Sequence, residues 1–313
     1  MVRQKIIIDT DPGQDDAVAI LLALASEELE VLGITCVAGN VELELTKINA
    51  LKICELAQRS DIKVHAGSDR PLCRKLVTAK HVHGSSGLDG TNLSYPSSQV
   101  SKIEAVDFIV DSLKSCAEKE IILCALGPLT NIAKVLSRST EIRNRIKKIV
   151  LMGGGFFEGG NITPAAEFNI YVDPEAASEV LNSGVEVVMM PLDVTHKVLT
   201  SPELIEKFQN MATKTGQAVS GLLDFFGRYD SKKYGSSGAP LHDANVIAYL
   251  LRPEYYDGKI INVEVETGSM LTRGMTVADW WQVTEKTPNT FFVKDALSEK
   301  ILKLIVEKIS LLP

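Results

Sequence analysis

The chain is short of cysteine, of net positive charge and of long apolar runs, and each shortage closes off a class of protein. Its five cysteines, Cys36, Cys54, Cys73, Cys116 and Cys124, are odd in number and form no CxxC pair, which argues against a disulfide framework and a thiolate zinc site. They read as small core residues with reduced thiols, as in a cytoplasmic protein. Lysine and arginine total 33 against 40 aspartates and glutamates, a net charge of −7. That balance disfavours nucleic acid or an anionic membrane as the main partner and suits a small neutral or metal-bound substrate. No apolar run is long enough to span a bilayer, and Met1 to Lys5 run straight into a first strand without a secretory apolar region. Internal repeats, low-complexity tracts and linkers are also missing, so residues 1–313 are read as one domain. Hydrophobic residues make up 45% of the chain, ample for a large core.

What is present is led by one stretch, Lys5-Ile6-Ile7-Ile8-Asp9-Thr10-Asp11-Pro12-Gly13-Gln14-Asp15-Asp16-Ala17. An isoleucine run, a Pro-Gly turn and the apolar, alanine-rich residues from Val18 to Leu24 predict a buried strand, a tight turn and a helix start. Alternation along the strand puts Asp9 and Asp11 on one face, and the turn brings Asp15 and Asp16 back towards them at a helix N-terminus. Helix capping accounts for one carboxylate, Asp15, but not for four. Carboxylates so crowded repel one another unless a cation, a shifted pKa or full solvation relieves them. Oxygen donors without nearby cysteine or histidine suit calcium or magnesium rather than zinc. An EF-hand loop fails, because Gly13 falls one place early and Ile20 stands where the closing glutamate belongs. The cluster sits instead at the carboxyl end of a strand, where parallel sheets bind ligands.

Beyond it, strand and helix signals alternate. Strands are predicted at Glu30 to Val37, Lys63 to Gly67, Ile121 to Leu126, Lys148 to Met152, Val185 to Leu192, Ile260 to Val265 and Thr290 to Val293. Helices are predicted at Leu43 to Leu56, Ala105 to Ala117, from the Gly127-Pro128 turn to Leu136, from Asp173-Pro174-Glu175, and at Pro202 to Tyr229, Ala244 to Leu251 and Leu297 to Ile309. Residues 69–99 break the rhythm, a long stretch of the kind that is either functional or disordered, and Tyr234 to Pro240 reads as a second flexible loop. The alternation predicts an α/β fold: a Rossmann-like, open, mostly parallel sheet with helices on both faces.

Taken together, DTDPGQDDA, VAGN from Val37, HVHG from His81, GPLTNIA from Gly127, VLMGGG from Val150, NITPAAEFNIYVDPEAA from Asn161 and HDA from His242 resemble the nucleoside hydrolases. This is the inosine-uridine preferring family, which cleaves the N-glycosidic bond of ribonucleosides. The resemblance implies the nucleoside hydrolase fold, a small ribonucleoside substrate drawn from nucleoside salvage, calcium as cofactor, and a homo-oligomer, dimer or tetramer. It implies that Asp11, Asp16, Asp243 and the backbone carbonyl of Leu126 hold the ion, Leu126 standing where the family often has threonine, and that Asp11 also takes a proton from the water held there. By the same likeness Asp15, Asn40, Asn161, Glu167 and Asn169 grip the ribose, with Met152 packed below. Glu167 and Asn169 would share a face of a strand-like segment, whereas Asn161 alone reads as a turn residue.

Breaking the C1′–N bond builds positive charge on the sugar and negative charge on the base, so a proton donor to the base is also needed. His83, in the first irregular loop, and His242, beside Asp243, are the candidates, and Tyr229 and Tyr234 could close over the base. His81 and His196 read as structural or positioning residues, and His65 as incidental. Trp280 and Trp281 read as packing, although adjacent residues cannot share one strand face and one of them is a candidate for exposure. The loop HGSSGLDG leans towards the pyrimidine-preferring branch, uridine or cytidine over inosine. Two alternatives stand beside this reading. A phosphatase of the haloacid dehalogenase type would use Asp9 as nucleophile and Asp11 as acid/base; a non-catalytic nucleoside-binding protein would keep the scaffold without turnover.

Overall fold

The three isoleucines after Lys5 form β1 (Gln4–Thr10), whose last five residues are buried. A strand hidden on both faces belongs inside a parallel sheet, and β1 pairs in parallel with β2 (Leu29–Cys36) on one side. Outside β2 lies β3 (Val64–Ala66), and on the other side of β1 lies β4 (Ile121–Ala125). The sheet continues through β5 (Ile146–Met152) and β6 (Val187–Met190). Past the edge strand β7 (Tyr256–Ile261), β8 (Val263–Val265) and β9 (Thr276–Ala278) make a separate antiparallel pair, and β10 (Thr290–Ala296) inserts between β6 and β7. In this computed structural model, which describes residues 3–234 and 238–313 apart from the side chains of Asp230 and Tyr234, the order is β3-β2-β1-β4-β5-β6-β10-β7. Every pairing in that sheet is parallel except β7 with β10.

Alternation along β1 builds the two layers. Ile6 and Ile8 enter a core with the helices Gln14–Leu24, Leu43–Leu56, Lys214–Tyr234, Ala244–Leu251 and Ser298–Ile309. Ile7 enters the opposite core with Ala105–Ser115, Thr130–Leu136 and Pro174–Leu181. Chain order runs outward from β1 in both directions, so β1 and β4 flank the point where it reverses. Open α/β sheets bind ligands outside the carboxyl ends of their strands at such a point, and the acidic stretch begins there.

Several boundaries differ from the sequence reading. Ile260 to Val265 is two strands in different sheets, parted at Asn262, and β9 lies in a segment not predicted as a strand. The helical pattern after Pro202 is two helices, Pro202–Gln209 and Lys214–Tyr234. The latter runs to Tyr234, into the predicted second loop; residues 235–237 of that loop, and the Tyr234 side chain, lie outside the described residues. Strand Val185 to Leu192 shortens to β6 because Leu192–Thr195 turns helical. Trp280 is buried and Trp281 is 72% exposed, so packing holds for the first only. No helix among the described residues is long and apolar enough to cross a membrane.

Candidate active site

The turn after β1 is built by side chains answering backbone. Gly13 caps the helix Gln14–Leu24, and Asp16, three residues in, accepts the Gly13 N–H at 3.0 Å. Capping therefore falls to Asp16 instead of Asp15. The Thr10 hydroxyl donates to the other Asp16 oxygen. Asn40, at the loop after β2, ties the turn together: its N–H donates to Asp11 Oδ2 at 2.6 Å, and its side-chain amide to the Asp11 carbonyl at 3.2 Å and to Asp16 Oδ2 at 3.1 Å.

Asp243, just before the helix Ala244–Leu251, joins them from more than two hundred residues away. Carboxylate oxygens of Asp15, Asp16 and Asp243 all lie within 4.8 Å of one another. Burial, then the neighbouring Asp16 charge, holds the Asp11 carboxyl well above its usual pKa. Asp243 is raised in the same way by burial and by Asp15, Asp16 and Asp11, and Asp16 by burial. Asp11 Oδ1 is buried with no hydrogen-bond partner among the described residues. A buried, mutually repelling set of oxygen donors is what a hard divalent cation relieves, so these residues fit such an ion.

Asp9 departs from expectation. Asp11 lies past the last strand residue, so alternation does not carry over to it, and Asp9 Oδ1 instead accepts from Thr35 Oγ1 at 2.5 Å and Asn131 Nδ2 at 2.8 Å. Burial pushes its pKa up to about 7. It is a buttress between strands rather than a member of the acidic group.

At the carboxylates opens a cleft lined by Asp15 and Asp243, by Asn40, Leu126, Met152, Asn161, Glu167 and Asn169, and by His81, His83, His196, His242, Phe226 and Tyr229. The structure thus gathers the sugar-side and base-side candidates on one cavity, though not by the local geometry expected. Glu167 and Asn169 are not on a strand: Glu167 is the N-cap of the short helix Phe168–Val172. Its carboxylate accepts the N–H groups of Asn169, Gly154 and Ile170 at 2.9, 3.0 and 3.1 Å. Burial pushes the Glu167 pKa up to about 7. Asn169 donates to the Leu126 carbonyl at 2.7 Å and to the Met152 carbonyl at 3.2 Å, and Asn161 Oδ1 accepts the Phe168 N–H at 2.9 Å.

His83, also on the cleft, is not in an irregular loop but ends the short helix Lys80–His83, buried and stacked on Phe226 with ring centroids 5.5 Å apart. His81 meets the Tyr229 ring edge-on at 5.5 Å. His242 Nδ1 lies 2.8 Å from Thr195 Oγ1, and its ring is 5.7 Å from that of His196. His65 stands apart in β3, stacked on Phe108. The sequence reading missed Gln14, which contacts His83, and Phe226, whose i, i+3 spacing from Tyr229 on one helix was the available signal.

A family model described as inosine-uridine preferring nucleoside hydrolase matches residues 6–303. The chain is 50% identical over 309 residues to an uncharacterized protein of Schizosaccharomyces pombe, covering 99% of this chain and 100% of that one. It is 44% identical over 306 residues to the pyrimidine-specific ribonucleoside hydrolase RihA of Klebsiella pneumoniae, covering 97% and 98%. Among solved structures, a purine-preferring ribonucleoside hydrolase from Gardnerella vaginalis superposes with a TM-score of 0.92 at 32% identity, covering 98% of each chain. The plant nucleoside hydrolase PpNRh1 does so at 0.94 and 30%, covering 99% of each.

Proposed function

The chain belongs to the inosine-uridine preferring nucleoside hydrolase family, and from that premise we propose that it is a calcium-dependent nucleoside N-ribohydrolase whose preferred substrates are pyrimidine ribonucleosides. The observation that carries the reading is the group of buried carboxylates, Asp15, Asp16 and Asp243 within 4.8 Å of one another and Asp11 beside them, at a cleft lined by amides and histidines. Asp11, Asp16, Asp243 and the Leu126 carbonyl would hold the cation. When bound, such an ion neutralises the carboxylates and acidifies water beside it.

The side chains then divide the work. Asp11, with Oδ2 held by the Asn40 N–H and Oδ1 unengaged, takes the proton of the attacking water. As the water oxygen bonds to C1′, the C1′–N bond breaks and its electron pair leaves with the base. Asp15, Asn40, Asn161, Glu167 and Asn169 grip the ribose hydroxyls, a polar set that would reject a deoxy analogue by leaving buried groups unpaired, and Met152 packs beneath the ring. His242, with Nδ1 engaged by Thr195, passes its Nε2 proton to the departing base. Tyr229 and Phe226 supply an aromatic wall. The pyrimidine preference is supported by RihA, described as pyrimidine-specific, at 44% identity over nearly the full length. The phosphatase alternative loses its nucleophile, since Asp9 is 1% exposed and bound by Thr35 and Asn131.

The test is release of reducing sugar from uridine, cytidine, inosine and base-modified ribonucleosides, with calcium and with chelator. Uridine and cytidine are expected to be cleaved fastest and only with the cation. Uridine binding without sugar release would instead make the protein a nucleoside-binding one, and full activity of Asp11→Ala would remove Asp11 as base.

A further inference from the structure

Gln14 joins the acidic turn to His83, and the orientation of its amide follows from its hydrogen bonds. Its side-chain NH₂ donates to two backbone carbonyls, those of His83 at 2.9 Å and Asp89 at 3.1 Å. Turning the amide over would set its oxygen against both carbonyls, so the orientation is fixed, and Oε1 faces His83 Nδ1 at 2.7 Å. An amide oxygen only accepts, so Nδ1 must carry the proton. The approach is built into the turn: a Cβ on Gly13 would stand 2.3 Å from His83 Nδ1. A second tie comes from Asn49, whose amide donates to the carbonyls of Pro12 at 3.1 Å and Ser86 at 2.7 Å, pinning the loop after His83 to the same turn. The stretch that looked flexible in sequence is clamped at two points.

We propose that Gln14 is a positioning residue that holds His83 as the Nδ1–H tautomer, so that His83 offers Nε2 to the cleft as a hydrogen-bond acceptor for a substrate N–H or O–H instead of protonating the departing base. A neutral ring with Nδ1–H donated to Gln14 has only the Nε2 lone pair left. Burial agrees, lowering the His83 pKa to about 3. The donor it serves is either the base, through a ring N–H or exocyclic amine, or the sugar, through a free hydroxyl. The inference rests on the ribonucleoside reading for its substrate but not for its tautomer, which is a property of the free protein.

Two measurements separate them. Imidazole ¹⁵N shifts of the calcium-loaded, nucleoside-free protein at pH 7, with the His83 signals assigned by their loss in His83→Gln, should show a protonated Nδ1 and a bare Nε2. A protonated Nε2, or an imidazolium, overturns the proposal whatever the protein hydrolyses. In Gln14→Leu, which removes the acceptor, the same signals should move towards a mixture of tautomers; signals unchanged from the parent would overturn the role of Gln14. Kinetics then test the acceptor. His83→Gln places an amide oxygen near the Nε2 position but cannot act as an acid, so KM for uridine should rise about tenfold with kcat within threefold. A hundredfold fall in kcat at unchanged KM would make His83 the acid and refute the proposal. The penalty of His83→Ala should vanish with N3-methyluridine if the base is the donor, or with 5′-deoxyuridine if the sugar is; a penalty undiminished on both also refutes it. Should the parent enzyme release no sugar from any nucleoside, the hydrolase reading fails while the tautomer measurement still stands.

Discussion

The sharpest test of the acidic site is a single methyl group at Gly127. Gly127 and Gly39 enclose the Asp11 carboxylate: a Cβ on Gly127 would lie 2.2 Å from Asp11 Oδ1, and one on Gly39 would lie 2.1 Å from Oδ2. The φ of Gly127 is not positive, so the backbone accepts alanine and the perturbation is the clash with Asp11, whose Cγ at 2.8 Å and backbone N at 3.2 Å are met as well as Oδ1. Real Cβ atoms essentially never come within 3.0 Å of another heavy atom, so Oδ1 must retreat by about 0.8 Å. It has little room, since Oδ2 is held at 2.6 Å by the Asn40 N–H. Metal ligands tolerate about ±0.2 Å, and a misplacement of about 1 Å at a reacting centre costs on the order of a hundredfold. Gly127→Ala should therefore lower kcat/KM for uridine about 10²-fold, roughly 2.7 kcal/mol of transition-state stabilisation, and weaken calcium binding. Overpacking costs about 1–3 kcal/mol of stability, so activity is to be compared where circular dichroism shows both proteins folded. An alanine variant with kcat/KM within threefold of the parent and an unchanged thermal response to calcium would show that Asp11 is neither base nor ligand.

Chelation of divalent ions should lower Tm, because an ion that binds only the folded chain stabilises it by about 2.7 kcal/mol at a hundred times its Kd; a Tm indifferent to calcium would count against the cation. Gly227, on the helix Lys214–Tyr234, has nothing within 4 Å of an added Cβ, so Gly227→Ala should raise stability by roughly 0.5–1 kcal/mol in urea melts through helix propensity. His83 titrates near 6.5 when unfolded and at about 3 when folded, so as pH falls below 6.5 the unfolded chain gains a proton that the folded one refuses. Relative to His83→Gln, the parent should lose about 1.6 kcal/mol between pH 6.5 and 5, the slope rising towards about 1.4 kcal/mol per pH unit as the unfolded ring protonates; a constant difference would mean the ring is not buried neutral. Asn131→Ala removes one of the two donors to Asp9 Oδ1, the amide donated to the Cys36 carbonyl and the acceptor of the Ser68 N–H, and should cost about 2–3 kcal/mol through lost buried hydrogen bonds, with kcat falling less than in Asp11→Ala.

What the sequence revealed, and what it withheld, follows from the range of the interactions involved. The strand, turn and helix at residues 4–24 were legible because each signal is local: an isoleucine run, Pro12-Gly13 and an apolar helix. Asp243 has no local signal and was reached only through resemblance; its place beside Asp16 is made by the packing of Ala244–Leu251 against the first helix. The helices Lys80–His83, Phe168–Val172 and Leu192–Thr195 span four or five residues. That is too short to be stable from propensity alone, so periodicity could not find them. Phe168–Val172 and Leu192–Thr195 are sustained in part by carboxylates that hydrogen-bond neighbouring backbone, Glu167 at the cap of one and Asp193 gathering the N–H groups of Phe156, Phe157 and Glu158 from the other.

The same distinction explains why residue types were easier to find than residue duties. The resemblance marked Glu167 as a sugar-side carboxylate but not as a helix cap, and the sequence pattern marked Asp9 as acidic but not as the partner of Thr35 and Asn131. Gln14 carried no signal at all, because an amide between a turn glycine and an aspartate shows no duty until His83 and Asp89 are brought to it. These duties share a cause. A parallel sheet delivers its strand ends to one edge, where backbone groups that no ladder satisfies must find side-chain partners. Side chains that meet that need are held in place by it, and a group so held can present its remaining lone pair to a ligand without first paying to order itself. On the function proposed above, Oδ1 of Asp11 and the far nitrogen of His83 would serve because their other atoms are already committed to the fold.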